Sequence, residues 1–300
     1  WNYLTGALEL CKSFHEEIFS VAFHPSGLHC LVGFYDKLRL MNVLVDDFRS
    51  HREVAIKMCR CCQFSCGGQA FAAVQGSVVS VFDFHSGTKY FDLKGHNTKV
   101  HSLLWGVDDS VLVSCDEDGT IYQWDMITGQ RVAEYTKKGS PYNYCAMPNM
   151  KKLWVVDNGG VNELSQPNLE FVDQYDCSGD DGANTRVARV VASHLESSFF
   201  IVGLSRDNKP DCIRTCAFPE QALLDITQVG TATSHWRVTH DDKYLIVTDS
   251  YGCLNVFEIE DKRRNISQSL ITAVKDDVVF WEAMPLVWPR WLFTMLVLEE

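Results

Sequence analysis

Short runs in which apolar positions recur at every second residue, cut by clusters of Gly, Asp and Ser, dominate this chain. Such runs predict β-strands, and the clusters predict tight turns. Between residues 100 and 135 the pattern resolves into one unit. Val100 to Trp105 reads as a first strand and Asp108-Asp109 as a turn. Val111-Leu112-Val113-Ser114 is a second strand, followed by the turn signal Asp116-Glu117-Asp118-Gly119. Thr120 to Asp125 is a third strand. Thr128-Gly129 then turns the chain into a fourth, Arg131 to Tyr135.

Trp124, near the end of that third strand, serves as a ruler mark. The same place is held by Trp1, Met41, Phe82, Leu164, Cys216 and Phe257, in runs such as LRLMN, VSVFD and LNVFE. Successive marks lie 40, 41, 42, 40, 52 and 41 residues apart, and the surplus of the long step fits the polar loop Cys177 to Gly182. Four short strands per unit at a period near forty predict an all-β fold, a WD-repeat β-propeller. Helical-pair repeats share the period, but Val, Ile, Phe and Cys at period two oppose helices.

Seven third strands predict seven blades, the first of them incomplete: WNYLTG at Trp1 repeats the WDMITG phrase at Trp124, so the chain enters a blade partway through. A propeller joins its first and last blades, because an open sheet edge invites aggregation. The missing strands are expected either upstream in a longer parent chain or in a hairpin of Ser269–Val274 and Val278–Trp281. The propeller is thus expected over residues 1–262, with 263–300 an unassigned segment and a candidate to complete the first blade.

Charge narrows the function. The chain carries 27 Lys and Arg against 39 Asp and Glu, a net −12, which argues against a nucleic-acid binder and against direct binding to other acidic surfaces. Twelve Cys among 300 residues are too few for a disulfide scaffold. Several, such as Cys30, Cys115 and Cys145, sit inside apolar runs as small hydrophobes, so a reducing cytosolic setting is expected.

His96, Ser114 and Asp118 have the residue types of a hydrolytic triad. They also sit at the places where a WD repeat keeps a buried hydrogen-bond tetrad, completed by the indole N–H of Trp124. Buried polar groups need partners of this kind, and no Gly-x-Ser-x-Gly turn surrounds Ser114. The structural reading is preferred, and no enzyme is expected. The tetrad is complete in this unit alone, so the other units are expected to rely on apolar packing.

Cys59, Cys61, Cys62 and Cys66 suggest a metal cluster. Their spacing does not match the paired thiolates of zinc sites. Cys59 and Cys61 are expected on one face of a first strand, with Cys62 on the other, as core. No Gly-rich phosphate loop is present, so neither metal nor cofactor is expected. Lys262-Arg263-Arg264 reads as a solvated exit from the last blade, and Asn265-Ile266-Ser267 as an incidental sequon. The apolar stretch from Glu282 to Leu298 is broken by Pro285, Pro289 and Arg290 and is too short for a membrane helix. Its readings are a packing tail, a membrane-surface segment or an aberrant gene product.

The phrase His24-Pro25-Ser26-Gly27-Leu28 with VGFYDKLRLMN from Val32 to Asn42 resembles a blade of the cilia- and flagella-associated protein 57 family. So do Phe64-Ser65 with Phe71 to Val74, Leu93 to Asn97 running on to Trp124, and Thr239 to Leu245 with Gly252 to Leu254. The resemblance covers residues 1 to about 262 in collinear order. It implies the second of two tandem propellers in a protein that continues into long coiled coil. It implies an axonemal scaffold of the cilium or flagellum that helps to place inner dynein arms on doublet microtubules, with axonemal proteins as partners and no small-molecule substrate. At −12 the domain is expected to avoid tubulin's acidic tails. After Lys262 no heptads follow, which departs from the family. The competing reading is a cytosolic WD-repeat adaptor of another assembly, a ubiquitin ligase or a trafficking complex.

Overall fold

The computed structural model describes residues 10–137, 144–149, 152–157, 160–175, 185–192, 199–206, 209–217, 223–228, 233–239, 243–249, 254–259, 266–270, 278–283 and 293–297. Among them, strands and turns account for all the regular structure. The first sheet consists of β1 (Ser20–Phe23), β2 (His29–Gly33), β3 (Leu38–Val43) and β4 (Phe48–Val54). The second holds β5 (Cys62–Phe64), β6 (Ala70–Gln75), β7 (Val78–Asp83) and β8 (Lys89–Leu93). The third holds β9 (Val100–Trp105), β10 (Val111–Asp116), β11 (Thr120–Asp125) and β12 (Arg131–Thr136).

Three more four-stranded sheets follow. They are β13 (Tyr144–Asn149) to β16 (Glu170–Tyr175) through β14 (Lys152–Asp157) and β15 (Gly160–Ser165); β17 (Thr185–Ala192), β18 (Phe199–Arg206), β19 (Lys209–Ala217) and β20 (Leu223–Gln228); and β21 (Thr233–Val238), β22 (Tyr244–Asp249), β23 (Leu254–Ile259) and β24 (Ile266–Leu270). A two-stranded sheet pairs β25 (Val278–Ala283) with β26 (Phe293–Val297). Every pairing is antiparallel and joins neighbours in sequence, the up-and-down order of propeller blades. The marks Met41, Phe82, Trp124, Leu164, Cys216 and Phe257 all fall in the third strand of their sheets. Trp1 lies outside the described residues, as does the loop at 177–182. The surplus of the fifth unit also goes into strand length, since β17, β18 and β19 run to 8, 8 and 9 residues.

The described residues form six four-stranded sheets and a hairpin, in line with six units whose first two strands lie within the chain. One expectation is corrected: the closing hairpin is differently drawn. Ser269 and Leu270 belong to β24 and pair with Val256 and Asn255, whereas β25 pairs with β26 and lies against β1. A segment rich in Trp, Phe and Val forms strand as readily as tail, which length alone did not reveal.

The chain divides into two compact units, residues 1–134 with 276–300, and residues 135–275. In the first, the alternation of side chains dictates how the sheets stack. On β6, Phe71 and Ala73 turn toward the first sheet, where they meet Ala22, Leu31, Leu38 and Leu40. Ala72 and Val74 turn the other way, toward Val100, Leu103, Leu112 and Trp124 of the third sheet. Three inner strands per sheet are therefore apolar on both faces. The outer strands β8 and β12 are mostly exposed.

Polar bonds stitch the neighbouring sheets. Ser20 Oγ donates to the Cys59 carbonyl (2.6 Å) and Trp105 Nε1 to the Gln63 carbonyl (3.3 Å). The Asp109 carboxylate accepts from the Cys66 and Gly67 amides at 2.6 and 2.8 Å. At the first of these contacts, a Cβ built on Gly33 would lie 2.4 Å from Ser20 Oγ and 2.6 Å from the Cys59 carbonyl oxygen. Because one of the two obstacles is backbone, Gly33→Ala is expected to cost about 1–3 kcal/mol. Adding Ser20→Ala should not restore it, since the carbonyl remains in the way. Urea unfolding of the single and double variants checks this, and an unshifted midpoint for Gly33→Ala would contradict the close approach.

Candidate functional site

The strongest polar constellation lies in the third sheet. Ser114 sits on β10 and Trp124 on β11, and the ladder that pairs Leu112 with Trp124 sets them on one face. His96 comes from the connection before β9. Its Nε2 lies 2.7 Å from Ser114 Oγ and its Nδ1 2.9 Å from Asp116 Oδ2, while Trp124 Nε1 lies 2.8 Å from Ser114 Oγ. Chemistry fixes the direction of each bond. An indole N–H only donates, so Ser114 Oγ accepts from Trp124 and gives its own proton to His96 Nε2. His96 is then the Nδ1–H tautomer and donates to the Asp116 carboxylate.

The carboxylate is that of Asp116, not Asp118. Two residues along a strand return to the same face, so Ser114 and Asp116, the last residue of β10, point the same way. Asp118 is exposed in the following turn. The second oxygen of Asp116 accepts from the Thr120 amide (2.8 Å) and the Asp118 amide (3.1 Å), so the same carboxylate also closes that turn. The i, i+2 spacing of Ser114 and Asp116 carries the signal, but the Asp and Gly cluster that follows Ser114 makes the last two residues of β10 look like turn.

The Ser–His–Asp order is that of a hydrolytic triad. Its nucleophile is out of reach, however: Ser114 has 0% exposure, and the His96 and Asp116 side chains have 0% and 1%. Tyr122 covers the imidazole at 4.3 Å between ring centres and donates its hydroxyl to the Gly95 carbonyl; the Arg131 guanidinium stacks 4.5 Å above Tyr122. Neither residue was singled out from sequence. Burial pushes the His96 pKa below its ordinary value, and this outweighs the opposing pull of the Asp116 carboxylate. The ring is therefore neutral, as the bonding requires.

Other sheets carry polar contacts of their own, which corrects the expectation that they rely on apolar packing. In the second sheet Ser80 Oγ donates to Asp92 (2.6 Å). In the unit of residues 135–275, buried Glu163 on β15 accepts from Lys152 on β14 (2.7 Å) and from the Tyr175 hydroxyl on β16 (2.5 Å). Burial and the neighbouring carboxylate raise the Tyr175 pKa, so it stays a donor. His24 bridges the first two sheets, with Nδ1 2.8 Å from Ser26 Oγ and Nε2 3.0 Å from the Gly68 carbonyl oxygen.

The cysteines also differ from expectation. Cys59 and Cys61 precede β5, and it is Cys59 and Cys62 that share a core side, around Ser20; Cys61 packs toward the third sheet. Cys62 Sγ donates to Ser20 Oγ (3.4 Å), and the neighbouring Cys59 holds the Cys62 pKa up. Among the described residues no group of three His, Cys, Asp or Glu has an arrangement for metal, and no helix is long and apolar enough to cross a membrane.

The WD40 family (WD domain, G-beta repeat) matches residues 87–125, the stretch that holds the whole polar constellation. Cilia- and flagella-associated protein 57 of Mus musculus is 35% identical over 266 residues, 87% of this chain and 20% of that protein. Cilia- and flagella-associated protein 57 A of Tetrahymena thermophila is 27% identical over 304 residues, 89% of this chain and 23% of that protein. The chain thus spans about a fifth of the length of these relatives. Among solved structures, the Myceliophteria thermophila Cps50 (Swd1) β-propeller domain superposes with a TM-score of 0.62 at 13% identity, covering 69% of this chain and 70% of that one. At that identity the likeness shows the fold.

Asp116→Ala is expected to destabilise the chain by about 2–4 kcal/mol, because it strands the His96 N–H and two turn amides. Asp118→Ala should stay within about 0.5 kcal/mol. Urea unfolding distinguishes them, and equal losses would place the carboxylate wrongly. A pH dependence follows as well. His96 and His24 both have folded pKa values lowered, mainly by burial, below the ordinary 6.5. Below that pH the unfolded chain binds protons that the folded chain does not, so stability falls with acidification and is level above it. His96→Gln should reduce the slope of stability against pH below about 6.5.

Proposed function

We infer that this WD-repeat β-propeller chain, similar over most of its length to cilia- and flagella-associated protein 57, is a non-catalytic protein-docking scaffold of the cilium or flagellum. The observation that carries the reading is the collinear 35% identity across 87% of the chain, which runs through sheet after sheet and not through one repeat alone. The fold suits the role. Antiparallel sheets wedged face to face give rigid elements, and the turns and connections between them are free to vary and to bind. The triad-like constellation of the third sheet is buried and supports a blade instead of a reaction.

The finer reading places the chain on the axoneme, where it supports inner dynein arms on doublet microtubules through contacts with other axonemal proteins. The six sheets and the β25–β26 hairpin beside β1 support a seven-bladed count, with the hairpin as the inner half of the seventh. Expression of the tagged chain in a ciliated cell tests the reading. Signal along the axoneme that survives detergent extraction is expected. Diffuse cytosolic signal, absent from cilia, would favour an adaptor of another assembly.

A further inference from the structure

The two edges of the first three sheets differ in charge. On one edge lie the turns β1–β2, β3–β4, β5–β6, β7–β8, β9–β10 and β11–β12. They contain Asp46, Asp47, Asp108 and Asp109 and not a single Lys or Arg. On the other edge lie the β2–β3, β6–β7 and β10–β11 turns with the connections β4–β5 and β8–β9. These contain Lys37, Lys57, Arg60, Lys94 and Lys99, with Asp36, Glu117 and Asp118 and, in the segment entering β1, Glu16 and Glu17 as the acids. The acids gather around the first and third sheets' own turns, whereas the connections β4–β5 and β8–β9 carry four cations and no acid, a local excess in a chain of net −12.

The cations are mostly uncommitted. Lys37 is held by Glu16 (3.1 Å) and Asp36 (3.3 Å). Among the described residues Lys57, Arg60, Lys94 and Lys99 are exposed and make no ion pair. The acid near Lys94, Asp92, is already taken by Ser80 and Lys89. The loops that carry them are fixed by backbone bonds: Met58 N to the Tyr35 carbonyl (2.8 Å), Val100 N to the Gly76 carbonyl (3.0 Å) and Glu117 N to the Lys99 carbonyl (3.0 Å). Met58 has left-handed backbone, φ 49°, an uncommon state for a side chain of its size. That bend leaves Lys57 and Met58 exposed while Ile56 and Cys59 remain buried on either side. Beside the cations, then, stand two apolar groups in water, Tyr35 at 65% exposure and Met58 at 41%.

We propose that the two cationic connections on this edge, β4–β5 and β8–β9, dock an acidic segment of a partner protein, with an apolar side chain of that segment seated on Tyr35 and Met58 and its carboxylates on Lys57, Arg60, Lys94 and Lys99. Charge complementarity selects the occupant. Uncompensated cations on an acidic body attract carboxylates and repel basic chains, and they speed the encounter. An exposed aromatic whose carbonyl is bonded to the loop that carries an Arg supplies the kind of residues that dominate binding energy at interfaces. The proposal gives the scaffold reading a partner chemistry and rests on that reading only for its biological setting. It also departs from what the net charge implied, since the whole-chain value hides two neighbouring connections of opposite sign.

The probe is a fluorescein-labelled synthetic peptide of Glu and Gly with one central Phe, titrated with the whole chain and read by fluorescence anisotropy. Binding is expected to weaken steeply with salt and by about tenfold or more in Lys57→Glu/Arg60→Glu. Tyr35→Ala/Met58→Ala should weaken it severalfold, with circular dichroism confirming that both variants are folded. Asp46→Lys, on the opposite edge, should leave it unchanged. No binding, equal binding of a peptide with Lys in place of Glu, or an effect of Asp46→Lys as large as the charge reversal would overturn the proposal. The two readings fail separately: the peptide can fail to bind while the tagged chain still enters the axoneme, and the reverse.

Discussion

A four-stranded sheet whose inner strands are apolar on both faces cannot stand alone in water. Each β6 residue pair in the second sheet makes the point: Phe71 needs the first sheet and Ala72 needs the third. Burying such side chains contributes roughly 1.5–3 kcal/mol for each large one, but only when the next sheet is present to cover it. Stability is therefore a property of the stack, and a disturbance in one sheet is felt by its neighbours. The close approach at Gly33 belongs to the same constraint. The Ser20 hydroxyl and the Cys59 carbonyl can meet there only because Gly33 carries no side chain.

Given that constraint, the polar network of the third sheet has a definite task. Apolar wedges slide, because dispersion and the hydrophobic effect are non-directional. Hydrogen bonds do not. The chain Trp124 to Ser114 to His96 to Asp116 to the Thr120 amide ties a connection, two strands and a turn into one geometry. Its burial makes each missing partner costly. The Glu163–Lys152–Tyr175 contacts link three consecutive strands in the same way with other residue types. Divergent repeats keep the task while changing the groups.

The period and the third strands were legible in the sequence, because a forty-residue repeat of Trp124-like marks survives changes in the residues themselves. What was misplaced sat at strand ends. Asp116 was read as turn because Asp and Gly cluster there, although β10 runs through it. Cys59 and Cys61 were read as strand, although β5 begins at Cys62. A boundary misplaced by two residues turns a strand residue into a turn residue or the reverse, so a site built on a strand end is harder to read than one built mid-strand. The contacts of Lys152, Glu163 and Tyr175 had no local signal at all, since each residue comes from a different strand.

Charge was the other quantity that composition concealed. A sum over 300 residues treats the chain as a point, whereas a stack of antiparallel sheets sorts its connections onto two edges. Turns after first and third strands fall on one edge, and those after second and fourth strands on the other. Asp108 and Asp125 accept from backbone amides of their own turns, and Asp109 from the Cys66 and Gly67 amides of the neighbouring sheet's turn. No such bond accounts for Lys57, Arg60 or Lys99. Acids on the first edge are thus part of how the turns close, while cations on the second edge are left over after the fold has satisfied itself. Residues that folding does not require, held in fixed positions by loops that it does require, are where a scaffold's specificity has room to reside.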